Sequence, residues 1–85
     1  MRRVIFYTKD DCLLCEEALI LLEMYENVYN YTIEIRDIET NDEWLDAHFL
    51  AIPVVEVNDE TLMSDKVTSH SLDALFQKHF SLSKE

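Results

Sequence analysis

Not one of the 85 residues is glycine, where ordinary usage of about 7% would supply about six. No other property of the chain restricts its backbone as much. Glycine enters the left-handed region of φ at no steric cost. Without it, each turn that needs a positive φ falls to Asn or Asp, whose short polar side chains tolerate that region. Asn58-Asp59, set between two apolar runs, is the clearest place for such a turn. Loops that cradle a phosphate on glycine backbone are excluded outright.

The length predicts one domain over residues 1–85, because a second hydrophobic core would not fit. A hydrophobic fraction of 48%, with four Phe, four Tyr and one Trp, is ample for that core. No apolar run approaches the roughly 18–20 residues of a membrane span. Met1-Arg2-Arg3 passes directly into Val4-Ile5-Phe6-Tyr7, too short an apolar stretch for a secretory leader. The expectation is a soluble, cytoplasmic protein. In that compartment a close cysteine pair is catalytic or metal-binding more often than a permanent cross-link.

Charge narrows the partners. Eighteen acids against seven bases give a net charge of −11, and between Asp10 and Asp65 stand 16 acids and a single base, Arg36. Such a surface opposes nucleic acid, anionic lipid and anionic substrates in general. It also keeps the chain soluble, which is the plainer reason for it.

Periodicity predicts the elements in the order β-α-β-α-β-β-α. Arg3 to Tyr7 is a continuous β-branched and aromatic run, as in a strand buried on both faces. From about Cys12 to Tyr25 the apolar positions Leu14, Ala18, Leu21, Leu22 and Tyr25 follow helical spacing, with Glu16, Glu17, Glu23 and Glu26 opposite. Tyr31, Ile33 and Ile35 alternate with polar residues as a second strand, which Asp37 ends. Thr40 to Glu43 reads as a capping box opening a short helix, with Trp44 and Phe49 packed in the core. Pro53 leads into Val54-Val55-Glu56-Val57, and the Asn58-Asp59 turn returns the chain through Glu60 to Met63 as a hairpin of edge strands. A last helix starts near Thr68, with Val67 and Leu72 as a hydrophobic staple, and runs to Phe80. So short a strand–helix–strand unit needs parallel strands and a right-handed crossover. The fold class is α/β, a central four-stranded mixed sheet flanked by three helices.

Cys12 and Cys15 are the only cysteines, and they open the first helix just past the end of the first strand, the edge where chemistry gathers in open α/β sheets. Unpaired N–H groups and the partial positive charge of a helix start stabilise a thiolate. The two-residue gap sets the second sulfur one turn deeper, within disulfide reach. Cys12, the more exposed, would attack a disulfide; Cys15, on the core side, would resolve the mixed disulfide by attacking Cys12. Asp10 and Asp11 oppose the thiolate, and Lys9 is the one nearby cation favouring it. The expectation is a thiol of modest acidity and a reducing couple.

Plainer readings stand beside these. A structural zinc would need two further ligands, and His48, His70 and His79 are scattered over the predicted helices without paired spacing, so no metal site is assigned. His79, between Phe76 and Phe80, reads as a partly buried helical residue. Asp10, Asp11, Glu16 and Glu17 read as a solvated rim around the helix start.

The element order, the motif "FYTKDDCLLCEEA" and the segment "IPVVEV" resemble the thioredoxin fold, and specifically a branch of small bacterial glutaredoxin-like proteins, over roughly Arg3 to Phe80. The resemblance implies thiol–disulfide oxidoreductase activity in electron transport, with Cys12 as nucleophile and Cys15 as resolving residue. It implies that Pro53 is cis, setting the Ile52 backbone beside Cys12 to pair with a bound peptide or glutathione. It matches Lys9 to a contact for the glutathione carboxylate and Asp65 to a cap for its γ-glutamyl ammonium. It aligns Met63-Ser64 with a pair of glycines that let the glutathione backbone approach, so Ser64 lies at that subsite and crowds it. Leu13-Leu14 stand where glutaredoxins usually carry Pro-Tyr. No tightly bound cofactor is expected, and glutathione would act as co-substrate. The expected partner of this monomer is a disulfide-containing protein or a glutathione mixed disulfide, with re-reduction by glutathione or by a flavoprotein. The alternative from another class is a non-catalytic thioredoxin-fold interaction module that binds a basic partner through the acidic face.

Overall fold

The structure, a computed structural model, describes residues 2–80. Strand β1 covers Arg3–Thr8, and its four residues Val4 to Tyr7 are buried, as the uninterrupted apolar run requires. Helix α1 follows over Leu13–Tyr29, then strand β2 over Thr32–Asp37. Helix α2 covers Asp42–His48. Strands β3, Val54–Val57, and β4, Glu60–Met63, form the hairpin, and helix α3 closes the fold over Ser69–His79.

The sheet runs β2-β1-β3-β4. β1 and β2 are parallel, in register from Arg3 opposite Thr32 to Thr8 opposite Asp37. β3 lies antiparallel to β1 on its other side, with Tyr7 opposite Val54, and β4 lies antiparallel to β3. The hairpin therefore supplies one edge strand and not two. β3 is internal, which suits the full burial of Val54, Val55 and Val57.

Positive φ falls where the missing glycines direct it. Asp11, Asn30, Asn58 and Asp59 all lie in the left-handed region, at φ values of 57°, 56°, 50° and 73°. The adjacent pair at Asn58-Asp59 is the turn of the hairpin. Asn30 closes α1 with its N–H donating to Glu26 O at 2.8 Å, so this helix runs one turn beyond Tyr25 and brings Tyr29 into the core. The exception to the Asn/Asp rule is Ser64, at φ 56°.

The start of α2 differs from the sequence reading. α2 is capped by Asn41, whose Oδ1 accepts from Trp44 N–H at 3.1 Å. Thr40 instead ends a separate 3-10 turn over Ile38–Thr40, its hydroxyl donating to Asp37 O at 2.7 Å while Asp37 Oδ1 accepts from Glu39 N–H. Burial of Ile38 explains that extra turn. Phe49 is not core: it is the C-cap residue of α2 and is exposed, whereas Trp44 packs against the sheet. α3 starts as read, with Thr68 Oγ1 accepting from Ser71 N–H at 3.1 Å and Val67 and Leu72 in one cluster.

Apolar side chains gather on both faces of the sheet. The larger cluster lies under α1 and α3 and includes Val4, Phe6, Leu22, Tyr31, Val55, Leu72 and Phe76. The smaller one, Ile5, Tyr7, Ile38 and Val54, has Trp44, Ala51 and Ile52 packed against it. Among the described residues no helix is long and apolar enough to cross a membrane.

Candidate functional site

Cys12 stands immediately before α1 and is its N-cap, one step earlier than the first-turn position its spacing suggests. Its φ and ψ are extended, as a cap requires, and its carbonyl accepts the first intrahelical bond from Glu16 N–H at 3.0 Å. Its Sγ takes the place usually held by a Ser or Asp oxygen, accepting from Cys15 N–H at 3.2 Å. One orphan donor of the helix start is thereby aimed at the sulfur. Negative charge developing on Cys12 is stabilised by that N–H and by the positive end of the helix.

Cys15 is 2% exposed and belongs to the larger core cluster, while Cys12 only packs against its rim. The two sulfurs lie at disulfide distance, with Cα atoms 5.2 Å apart, inside the range that a disulfide spans without backbone movement. One sulfur is therefore reachable from solvent and the other is reachable through the first. Leu13 and Leu14, between them, are exposed.

The Ile52–Pro53 peptide bond is cis. The pairing of β1 with β3 ends at Tyr7 opposite Val54, so the proline, one residue before Val54, stands at the end of β1 from which the chain turns toward Cys12. Ile52 packs against both clusters. Its N–H donates to His48 O at 3.1 Å, alongside Ala51 N–H to the same oxygen at 2.8 Å. Of the backbone pair that the sequence reading assigned to a ligand, the N–H is thus already occupied. Ser64 N–H donates to both Ala51 O at 2.9 Å and Pro53 O at 2.8 Å, which ties the end of β4 to the proline segment and explains why the chain holds a serine at positive φ there. Lys9 and Asp65 are exposed, and neither side chain enters an ion pair among the described residues.

One group was not singled out by sequence reasoning. On the sheet face opposite α1, Arg36 donates through Nη1 to Tyr7 OH at 2.8 Å and through Nε to Glu34 at 2.6 Å. Its guanidinium lies 5.5 Å from the Tyr7 ring and 5.2 Å from that of Trp44, and the His48 ring packs on Tyr7 at 4.2 Å. The Glu34 carboxylate raises the Arg36 pKa most, burial opposes it next, and the Tyr7 hydroxyl adds to the rise. These contacts hold α2 to the sheet, and α2 delivers the His48 carbonyl to Ile52. The signal was present: Arg36 is the one base in the acidic stretch. Among the described residues no three His, Cys, Asp or Glu side chains are grouped so as to hold a metal ion.

Residues 3–77 match the family described as Glutaredoxin-like domain (DUF836). Among solved structures, the chain is similar to a mutant thioredoxin from Halobacterium salinarum, with a TM-score of 0.74 at 15% identity, over 98% of this chain and 78% of that one. It is also similar to a structure described only as a malarial protein, with a TM-score of 0.66 at 19% identity, over 93% of this chain and 97% of that one. At these identities the likeness establishes the fold, which is thioredoxin-like. No curated protein matches the chain.

Proposed function

Because the chain belongs to the glutaredoxin-like domain family, we propose that it catalyses thiol–disulfide exchange through Cys12 and Cys15 in a reducing cytoplasm. The observation that carries this reading is the bond from Cys15 N–H to Cys12 Sγ, with Cys12 at the surface and Cys15 behind it.

The reaction has two displacements. The Cys12 thiolate attacks one sulfur of a substrate disulfide; that bond breaks, a Cys12–substrate disulfide forms, and the departing thiolate takes a proton from solvent. The Cys15 thiolate then attacks Cys12 Sγ, forms the Cys12–Cys15 disulfide and releases the second substrate thiolate, which is protonated in turn. Two electrons and two protons pass from the dithiol to the substrate. A thiol such as glutathione, or a flavoprotein reductase, returns them. Lys9, Ile52, Pro53, Ser64 and Asp65 are the residues on which a bound peptide or glutathione would lie. Asp10 and Asp11 keep the Cys12 thiol only modestly acidic, so the couple is reducing; a thiolate titration giving a pKa below about 4, as in strong oxidants of this chemistry, contradicts that.

The rival reading is a module that binds a basic partner through its acidic surface without turnover; the −11 net charge favours it. Turnover of a small mixed disulfide separates the two. Exchange requires that wild type is active and Cys12→Ser is not; equal rates for the two proteins favour the module.

A further inference from the structure

The exchange chemistry uses two sulfurs and leaves the surface around them without a role. Three segments lie at the end of the sheet where β1 and β4 finish and β3 begins: Leu13-Leu14 between the cysteines, Phe49-Leu50 leading from α2 toward Ile52-Pro53, and Met63 at the end of β4. The paired bonds from Ser64 N–H fasten the third segment to the second. Leu13, Leu14, Phe49, Leu50 and Met63 are between 41% and 84% exposed. A single exposed leucine means little, but several on tethered segments around a reactive sulfur form a surface that gains by being covered.

The charges beside this surface select what covers it. Asp10, Asp11, Glu16, Glu17 and Asp65 are all exposed there, against the ammoniums of Lys9 and Lys66. Glutathione carries two carboxylates and one ammonium, so the surrounding field repels it, and it is too small to cover the apolar segments. A polypeptide with an apolar residue beside its cysteine and basic residues outside meets complementary surface at each point.

Resting on the exchange reading above, we propose that the preferred substrate is a protein disulfide whose reacting cysteine is flanked by apolar and then basic residues. Leu13, Leu14, Phe49, Leu50 and Met63 form its docking surface, and the acidic residues around them steer it in. The bonds made and broken are those already given.

The test uses three mixed disulfides with one chromogenic leaving thiol: a peptide with leucine beside its cysteine and lysines outside, the same peptide with glutamates for lysines, and glutathione. The lysine peptide is expected to exceed the glutamate peptide in kcat/KM by about tenfold at low salt, with the ratio approaching one near 1 M, where the screening length is about 3 Å. Leu50→Ser is expected to lower the preference for the lysine peptide over glutathione about fivefold, a loss on the scale of one apolar side chain. Equal rates for the two peptides at low salt, a preference for glutathione, or an unchanged preference in Leu50→Ser overturns the proposal while leaving exchange intact. Turnover that Cys12→Ser retains overturns the exchange reading instead. Anisotropy titration of both peptides, as free thiols, against Cys12→Ser then reads the docking surface on its own: tighter binding of the lysine peptide supports it, and equal or absent binding refutes it.

Discussion

The two faces of the sheet are built to different standards. Under α1 and α3 the core is continuous and aromatic: Phe76 is fully buried and its ring meets those of Tyr25, Tyr29, Tyr31 and Phe80 at centroid distances of 4.9 to 5.9 Å. The polar ends are satisfied, Tyr29 OH donating to Asp73 at 2.7 Å and Tyr31 OH to Leu22 O; burial raises the pKa of both phenols. On the opposite face the apolar cluster has four buried members among the described residues, and α2 contributes none of them. There α2 is held by half-buried Trp44 and His48 over Tyr7 and Arg36. The first face secures Cys15. The second sustains the turn that carries Ile52 and Pro53. The difference teaches that the two faces carry unequal shares of the burial, so the α2 side can loosen without unfolding the other.

The largest test of that division is Phe76→Ala, expected to lose about 3–5 kcal/mol, read as a lower denaturant midpoint at unchanged slope. Trp44→Ala is expected to lose only about 1–2 kcal/mol, the value of an edge aromatic contact and a partly exposed cation–π contact. Its amides in α2 should exchange with solvent faster while those of α1 and α3 keep their protection. A Trp44→Ala loss equal to that of Phe76→Ala breaks the comparison.

Smaller effects sharpen it. Ser64→Gly is expected to stabilise by about 0.5 kcal/mol, because relief of a left-handed conformation costing about 1–2 kcal/mol exceeds the added freedom of glycine in the unfolded chain; thermal denaturation reads it. The smallest effect lies at Glu60, whose Oε1 is 2.8 Å from Lys78 Nζ and 2.9 Å from His79 Nε2. Lys78 first, and His79 next, hold its carboxyl below the usual range. A carboxyl lowered on folding stabilises above its unfolded pKa, about 4.3, and that contribution disappears as pH falls through the folded value. The stability difference between wild type and Glu60→Gln is therefore expected to close on acidification through the carboxylate range, below about pH 4.3.

Local signals made most of the fold legible. The buried run of β1, the Thr68 cap and the Asn58-Asp59 turn each act over a few residues, and each appears as read; β2 forms where its alternation places it, but Ile35 is exposed while Glu34 and Arg36 are half-buried. What was not legible depends on contacts distant in sequence. Asn41 displaced Thr40 as a cap because Asp37 and buried Ile38 form their own turn first. Ser64 adopts a positive φ because its N–H meets two carbonyls from the proline segment. The dithiol could be read at Cys12 and Cys15 from spacing and position, but the role of Cys12 as its own helix's cap could not. Nor could the His48 bond to Ile52, which requires α2 to end one turn before Pro53.

Exchange by this dithiol depends above all on the unequal roles of the two sulfurs. Cys15→Ser and Cys12→Ser, each reduced and then offered a peptide disulfide, can be followed by intact mass. A stable adduct is expected on Cys12 in Cys15→Ser and none in Cys12→Ser, whose remaining thiol is 2% exposed. Adducts formed to equal extents on both variants, or on neither, would contradict it.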